Sequence, residues 1–182
     1  MTTPPDRQPL LLVVTGRPGS GKTTLSRTVT RKLQASYLRL DAIETAIETW
    51  RDRRPVGPEG YAVAFQLARS NLELGRDVII DAVCPVPESR SGWRELAADS
   101  GARLLIMELV VADEDEHRRR VTDRRPDMAG QRVPSWSEVL DADWVPWDTS
   151  RDGPHTVVDA TSSEDALRSA LKLIKEVDHA RR

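Results

Sequence analysis

The 182-residue sequence contains one cysteine, Cys84, and three scattered histidines, His117, His155 and His179. A lone thiol excludes an internal disulfide framework, and the histidines lack the spacing of a zinc site. A reducing compartment suits such a chain, so a cytoplasmic location is expected. Long apolar runs are also missing. The two longest, 10–14 and 104–111, the second broken by Glu108, fall far short of the roughly 20 residues that cross a bilayer. No membrane partner is expected. The N-terminal stretch, with Pro4, Pro5, Asp6 and Pro9, has no apolar centre of the signal-peptide kind. Residues 1–8 are expected as a frayed tail and 9–178 as a single domain. Excess charge is absent too: 27 basic residues face 29 acidic ones, for a formal net charge of −2. Such a chain has no global field to draw it to nucleic acid or an anionic surface, so any anion must be held by a local patch. Lysine is scarce, with Lys22, Lys32, Lys172 and Lys175 set against 23 arginines. No feature specifies an oligomeric state.

Short apolar runs recur at 10–15, 37–40, 78–80, 104–110 and 156–158, with helical segments between them. That alternation is the pattern of parallel strands joined by crossover helices. Gly75 and Gly101 are placed to close the helices before the third and fourth strands. Ser135 with Glu138, and Thr161 with Glu164, have the spacing of a capping box that opens a helix. The 45 residues at 111–155 are too many for a simple connection and should hold helices of their own.

Gly16, Arg17, Pro18, Gly19, Ser20, Gly21, Lys22 and Thr23 fill the pattern G-x-x-x-x-G-K-[ST] directly after an apolar strand and before an amphipathic helix led by Leu25, Val29 and Leu33. The glycines let successive backbone N–H groups, through Thr24, converge on phosphate oxygens. The helix N-terminus adds partial positive charge. Lys22 would bridge the β- and γ-phosphates, and the Thr23 hydroxyl would ligate Mg²⁺. Guanine recognition is disfavoured, because no Asn-Lys-x-Asp or Thr-Lys-x-Asp stretch follows a later strand. A motor with a second helical domain needs a longer chain.

Asp41 follows the second strand directly, where ligands collect in an open α/β sheet. It is a candidate base for an attacking hydroxyl, and equally a candidate N-cap for the helix carrying Ile43, Ile47 and Trp50, with Glu44 completing the box. Asp81 ends the third strand and is placed to orient Mg²⁺ through water or to touch an acceptor, unless it is a turn residue before Pro85 and Pro87. Arg118, Arg119, Arg120, Arg124 and Arg125 crowd a helix end. Arg120 and Arg124 share a face and would neutralise a transferring phosphoryl group if the segment at about 118–136 closes as a lid. The competing expectation is a solvated face paired with the acids at 113–116. Trp144 and Trp147 are candidates either for stacking on a substrate or for packing. The loop at 51–57, with Arg51, Arg53 and Arg54, is a candidate grip for an anionic acceptor. Cys84 is expected to be inert.

In order along the chain, Gly16–Thr23, Leu-Arg-Leu-Asp ending at Asp41, Val-Ile-Ile-Asp ending at Asp81, and the Arg120/Arg124 pair resemble the small P-loop kinases of the AAA_33-type group. That group includes polynucleotide 5′-hydroxyl kinases, zeta-toxin-like kinases and chloramphenicol phosphotransferases, with more distant similarity to adenylylsulfate and gluconate kinases. The resemblance implies that Lys22 and Thr23 hold the nucleotide and Mg²⁺, that Asp41 is the general base, and that Arg120 and Arg124 are lid arginines. In the polynucleotide kinases an arginine follows the aspartate by one helical turn, but Glu44 and Thr45 stand there in this chain. Nucleic acid is therefore the disfavoured partner.

The expected fold is a three-layer α/β P-loop domain with a five-stranded parallel sheet ordered 2-3-1-4-5 and an Arg-rich helical lid. The expected chemistry is ATP- and Mg²⁺-dependent transfer of a γ-phosphoryl group to a hydroxyl of a small molecule, contacted by Asp41, Glu44, Arg54 and Asp81. Phosphorylation of a polynucleotide 5′-hydroxyl is one alternative. A nucleotide-hydrolysing regulatory protein without an acceptor is the other.

Overall fold

The computed structural model describes residues 7–52 and 54–179; of the expected tail, residues 1–6 lie outside the described residues. Arg7 is ion-paired with Asp77 at 2.9 Å, and the Gln8 carbonyl accepts from Arg103.

The first apolar run forms β1 (Leu10–Thr15), every residue of which is buried. Continuous burial is the signature of a central parallel strand covered on both faces. The chain continues through α1 (Lys22–Leu33), β2 (Ser36–Arg39), α2 (Leu40–Trp50), α3 (Glu59–Glu73), β3 (Val78–Asp81), α4 (Pro87–Asp99) and β4 (Arg103–Val110). It then forms α5 (Glu114–Asp123), α6 (Trp136–Asp141), α7 (Thr149–Asp152), β5 (Thr156–Asp159) and α8 (Ser163–His179). The sheet is parallel and ordered β2-β3-β1-β4-β5, as the sequence predicts. Gly75 and Gly101 close α3 and α4 with φ of 73° and 61°, the left-handed conformation a helix stop needs.

Alternate residues of β1 serve opposite layers. Leu10, Leu12 and Val14 pack with Leu25 and Val29 of α1 and with Ala166, Ala170 and Ile174 of α8. Leu11 and Val13 pack with Ala64, Ala68 and Leu72 of α3 and with Trp93, Leu96 and Ala97 of α4. On that side the Phe65 and Trp93 rings meet edge-on, 4.3 Å between centroids.

Register brings chemistry to the carboxyl ends of the strands. Arg39 is opposite Asp81, Asp81 opposite Val14, and Thr15 opposite Glu108. The segment between β4 and β5 is fastened beneath this edge by Arg90, whose guanidinium is about 1% exposed. Arg90 pairs with Asp152 at 2.7 Å and donates to the carbonyls of Cys84, Pro85 and Val145. It also lies 4.7 Å from the centroid of the Trp147 ring. A buried charge satisfied on every side in this way is costly to orphan. No helix among the described residues is long and apolar enough to cross a membrane.

Two expectations need correction. Asp41 is not an N-cap: α2 starts at Leu40, with Arg39 as the capping position, so Asp41 sits in the first turn. The α8 cap is Ser162, whose hydroxyl accepts from the Asp165 N–H, while Thr161 bonds to Asp159 and Ala112. The capping box at Ser135 and Glu138 does form and opens α6.

Candidate active site

The loop between β1 and α1 curls through Gly16, Gly19 and Gly21, all at positive φ. At Gly19 a Cβ would come within 2.6 Å of Val121 in α5, so only glycine lets α5 rest on the loop. At Gly21, the N-cap of α1 with φ of 87°, a Cβ would have only Arg120 Nη1 nearby, at 3.9 Å. That open space lies over the N-terminus of α1, whose first turn holds no acidic residue. His117 Nε2 is 2.8 Å from the Pro18 carbonyl; because a carbonyl only accepts, Nε2 carries the proton. Arg17 donates to the Val139 carbonyl at 2.8 Å and lies over the Trp144 ring. The side chains of the loop are thus held from outside, which leaves its interior to a ligand.

Two polar groups there point to an anion. Ser20 Oγ is buried without a hydrogen-bond partner among the described residues. Lys22 is about 5% exposed, and its ammonium donates no hydrogen bond to any described residue. Burial lowers the Lys22 pKa, against the opposing pull of Asp81 and Asp41. These groups fit a nucleotide phosphate. No cluster of three or more His, Cys, Asp or Glu is placed to hold a metal among the described residues. Mg²⁺ keeps most of its waters and phosphate ligands, and a hydroxyl such as that of Thr23, which lines the larger of two cavities beside the loop, suits that ion.

Beside the loop, carboxylates and guanidiniums form one network. Arg39, its side chain about 3% exposed, has Nη1 2.9 and 2.8 Å from the two oxygens of Asp127. Its Nη2 lies 3.4 Å from Asp41, and its Nε lies 3.8 Å from Asp81 without a hydrogen bond. Tyr37 donates its hydroxyl to Asp81 at 2.8 Å, and burial followed by that carboxylate raises the Tyr37 pKa well above its usual value. Gln131 donates to Asp41 at 3.3 Å and accepts from the Asp127 N–H at 3.1 Å. Arg124 reaches to 3.7 Å from Asp41, and Arg27 pairs with Asp127 at 2.9 Å. The expected lid segment therefore meets the sheet edge through Arg124, Asp127 and Gln131.

Two cavities open here. One, of about 390 Å³, is lined by Gly21, Lys22, Thr23 and Thr24 and by six arginines against two aspartates. The other, of about 160 Å³, is lined by Lys22, Asp41, Glu44, Thr45, Glu48 and Arg124 among others. Lys22 and Arg124 border both. Burial, then Asp41 and Glu48, push the Glu44 carboxyl up to about 7.

The remaining sequence candidates divide. Arg120 borders the larger cavity, but its nitrogens bond Glu116 at 2.7 Å and the Ala160 and Thr161 carbonyls at 2.7 and 2.6 Å. Arg119 forks onto Glu116 at 2.8 Å. Arg54 is exposed and lines neither cavity. Arg51 pairs with Glu59, and Arg53 lies outside the described residues. Trp147 stacks on His155 at 4.2 Å and donates to the Gly153 carbonyl, so it packs. Cys84 is buried, which pushes its thiol up to about 11 and leaves it unreactive. Sequence reasoning missed Arg39, Asp127, Gln131 and His117. Only Arg39 had a legible signal, its place at a strand end one residue before Leu40-Asp41.

Residues 11–142 match the AAA_33 family, described as an AAA domain. No curated protein gives a significant match. Similar solved structures include a sugar kinase from Janibacter sp. HTCC2649, with 19% identity, a TM-score of 0.67, and 92% of this chain and 95% of that one covered. A gluconokinase from Sinorhizobium meliloti 1021 shares 19% identity at a TM-score of 0.64, covering 97% and 99% of the two chains. Kti12 from Chaetomium thermophilum, in complex with ADP-AlF3, shares 19% at 0.63, covering 92% and 98%. At such identities the likeness is one of fold.

Proposed function

The chain belongs to the AAA_33 family, and from that premise we propose that it is an ATP- and Mg²⁺-dependent phosphotransferase whose acceptor is a hydroxyl of a small molecule. The observation that carries this reading is the pair of adjoining cavities, one basic and one holding Asp41, with Lys22 and Arg124 between them. The neighbouring folds described as a sugar kinase and a gluconokinase support it.

Backbone N–H groups of Gly19–Thr23, with Lys22, hold the nucleotide phosphates. Thr23, and Asp81 through water, would hold the metal. Bound there, MgATP supplies the γ-phosphoryl group and a divalent charge that offsets its negative oxygens. Asp41, borne by the first turn of α2, accepts the proton of the acceptor hydroxyl. The hydroxyl oxygen forms the new bond to phosphorus, the bond to the bridging oxygen breaks, and ADP leaves with that electron pair. Arg39, Gln131 and Arg124 orient Asp41. Lys22 and Arg124 offset charge on the group in flight. The 118–136 segment acts as the lid, drawn down by Asp127 on Arg39 and Arg27. Arg120 reaches phosphate only by releasing the carbonyls it now holds.

Glu44 and Glu48 in the smaller cavity would repel a polynucleotide backbone, which favours the small-molecule reading. The test is mass-spectrometric screening of metabolite and oligonucleotide pools with ATP and Mg²⁺. Gain of one phosphoryl group by a small molecule, absent with Lys22→Ala, supports the reading. Release of phosphate with no phosphorylated product would leave a nucleotide hydrolase in its place.

A further inference from the structure

The smaller cavity carries more information than the position of Asp41. Its α2 wall presents Asp41, Glu44, Thr45 and Glu48, positions i, i+3, i+4 and i+7 that fall on one helix face. Glu44 and Glu48, four apart, are like charges on adjacent turns, an arrangement that weakens a helix unless something compensates it. No described cation lies within ion-pairing distance of either. The basic groups that border the cavity are committed elsewhere. Lys22 belongs to the phosphate cradle, Arg124 reaches Asp41, and the 80%-exposed Arg132 side chain pairs with Glu138. Glu44 is also seated firmly: its Cγ would lie 2.7 Å from a Cβ built on Gly60 of α3, so only a glycine there admits it. Lys22, nearly fully buried and without a hydrogen bond to any described residue, borders both this cavity and the larger one, so it marks the junction where phosphate and acceptor would meet. Burial, then the Asp41 and Glu48 carboxylates, raise the Glu44 carboxyl.

Resting on the phosphotransferase reading, we infer that the acceptor is a compact amino alcohol or amino sugar, its protonated amine held by Glu44 and Glu48 while its hydroxyl meets Asp41. Asp41 and Glu44 differ by roughly 4.5 Å of helix rise and Asp41 and Glu48 by roughly 10 Å, which places the amine within a few carbon atoms of the reacting hydroxyl. Pro18, Val83 and Pro134 supply apolar surface for the carbon skeleton. An anionic acceptor would meet two carboxylates that no described cation pairs with.

Two matched sets test this on the full chain with ADP and Mg²⁺ present: glucosamine, glucose and gluconate, and serinol, glycerol and glycerate. Calorimetric titration should show at least one amine binding about tenfold tighter than its neutral partner, the scale of one charge-assisted hydrogen bond, with the carboxylate weakest. In the Glu44→Gln/Glu48→Gln double variant that preference should vanish while nucleotide affinity holds, which separates loss of charge from loss of fold. Equal or tighter binding of the neutral or anionic members, or no binding by any amine, overturns the inference. Unchanged nucleotide affinity in Lys22→Ala instead overturns the phosphotransferase reading on which it rests.

Discussion

Replacing Glu44 with glutamine removes a charge that its surroundings disfavour while keeping the shape of the side chain. The carboxyl titrates near 7 in the folded protein against a usual 4.5, with burial the main cause and Asp41 and Glu48 the next. At about 1.36 kcal/mol per pH unit the interval corresponds to an upper bound of about 3 kcal/mol. Glu44 is only partly buried, and solvent screening lowers the expected effect to roughly 1–2 kcal/mol. Between pH 4.5 and 7 the folded state binds the proton more tightly than the unfolded chain, so this contribution is fully present below 4.5 and is lost as pH rises through 7. Urea unfolding of wild type and Glu44→Gln at pH 5, 6, 7 and 8 isolates Glu44 with its coupling to Asp41 and Glu48, because titrating groups uncoupled from it cancel in the difference. Measured against wild type, the variant should be roughly 1–2 kcal/mol better off at pH 8 than at pH 5, a shift in the midpoint difference of roughly 0.5–1 M urea. A difference that stays flat with pH, or that moves towards wild type as pH rises, refutes the placement of Glu44 among uncompensated acids.

Arg39→Ala leaves Asp81 buried with only the Tyr37 hydroxyl and releases Asp127; about 3–5 kcal/mol of stability should be lost, and a loss below 1 kcal/mol in denaturant unfolding would contradict its role as hub. Asp152→Ala strands the buried Arg90 guanidinium and should cost a similar 3–5 kcal/mol, read as a drop in melting temperature with the nucleotide site intact. Lys22→Ala should abolish measurable ATP binding by calorimetry yet melt no lower than wild type, since it removes a buried cation that no hydrogen bond repays; ATP affinity within twofold of wild type would remove Lys22 from the cradle.

The strand runs and the phosphate loop were legible because they are local. Continuous apolar stretches bounded by glycine left little freedom over β1, whose span is as read from sequence, and parallel crossovers limit the order of five strands. The candidate site was legible where a residue sits at or just past a strand end, as Asp81 and Asp41 do, or inside the phosphate-loop motif, as Lys22 does. Asp41 looked like a cap because Glu44 completes the box spacing, but β2 feeds α2 with no intervening loop, so the helix begins two residues early. The Arg39–Asp127 contact joins residues 88 positions apart, and nothing in a period-2 strand marks Arg39 as inward. The shared face of Arg120 and Arg124 is real, yet their targets differ. The carbonyls that engage Arg120 arrive 40 residues later in the chain, beyond the reach of any local pattern.

The central claim is that Asp41 takes a proton from an acceptor held beside a nucleotide on Lys22. Single-turnover transfer from γ-labelled ATP to the acceptor, compared between wild type and Asp41→Asn with nucleotide affinity measured in parallel, tests it most directly. The account predicts that Asp41→Asn binds ATP as tightly as wild type and slows label transfer by at least about 100-fold, the lower range for a general base. Transfer at the wild-type rate, or label appearing only as free phosphate in both proteins, would contradict it.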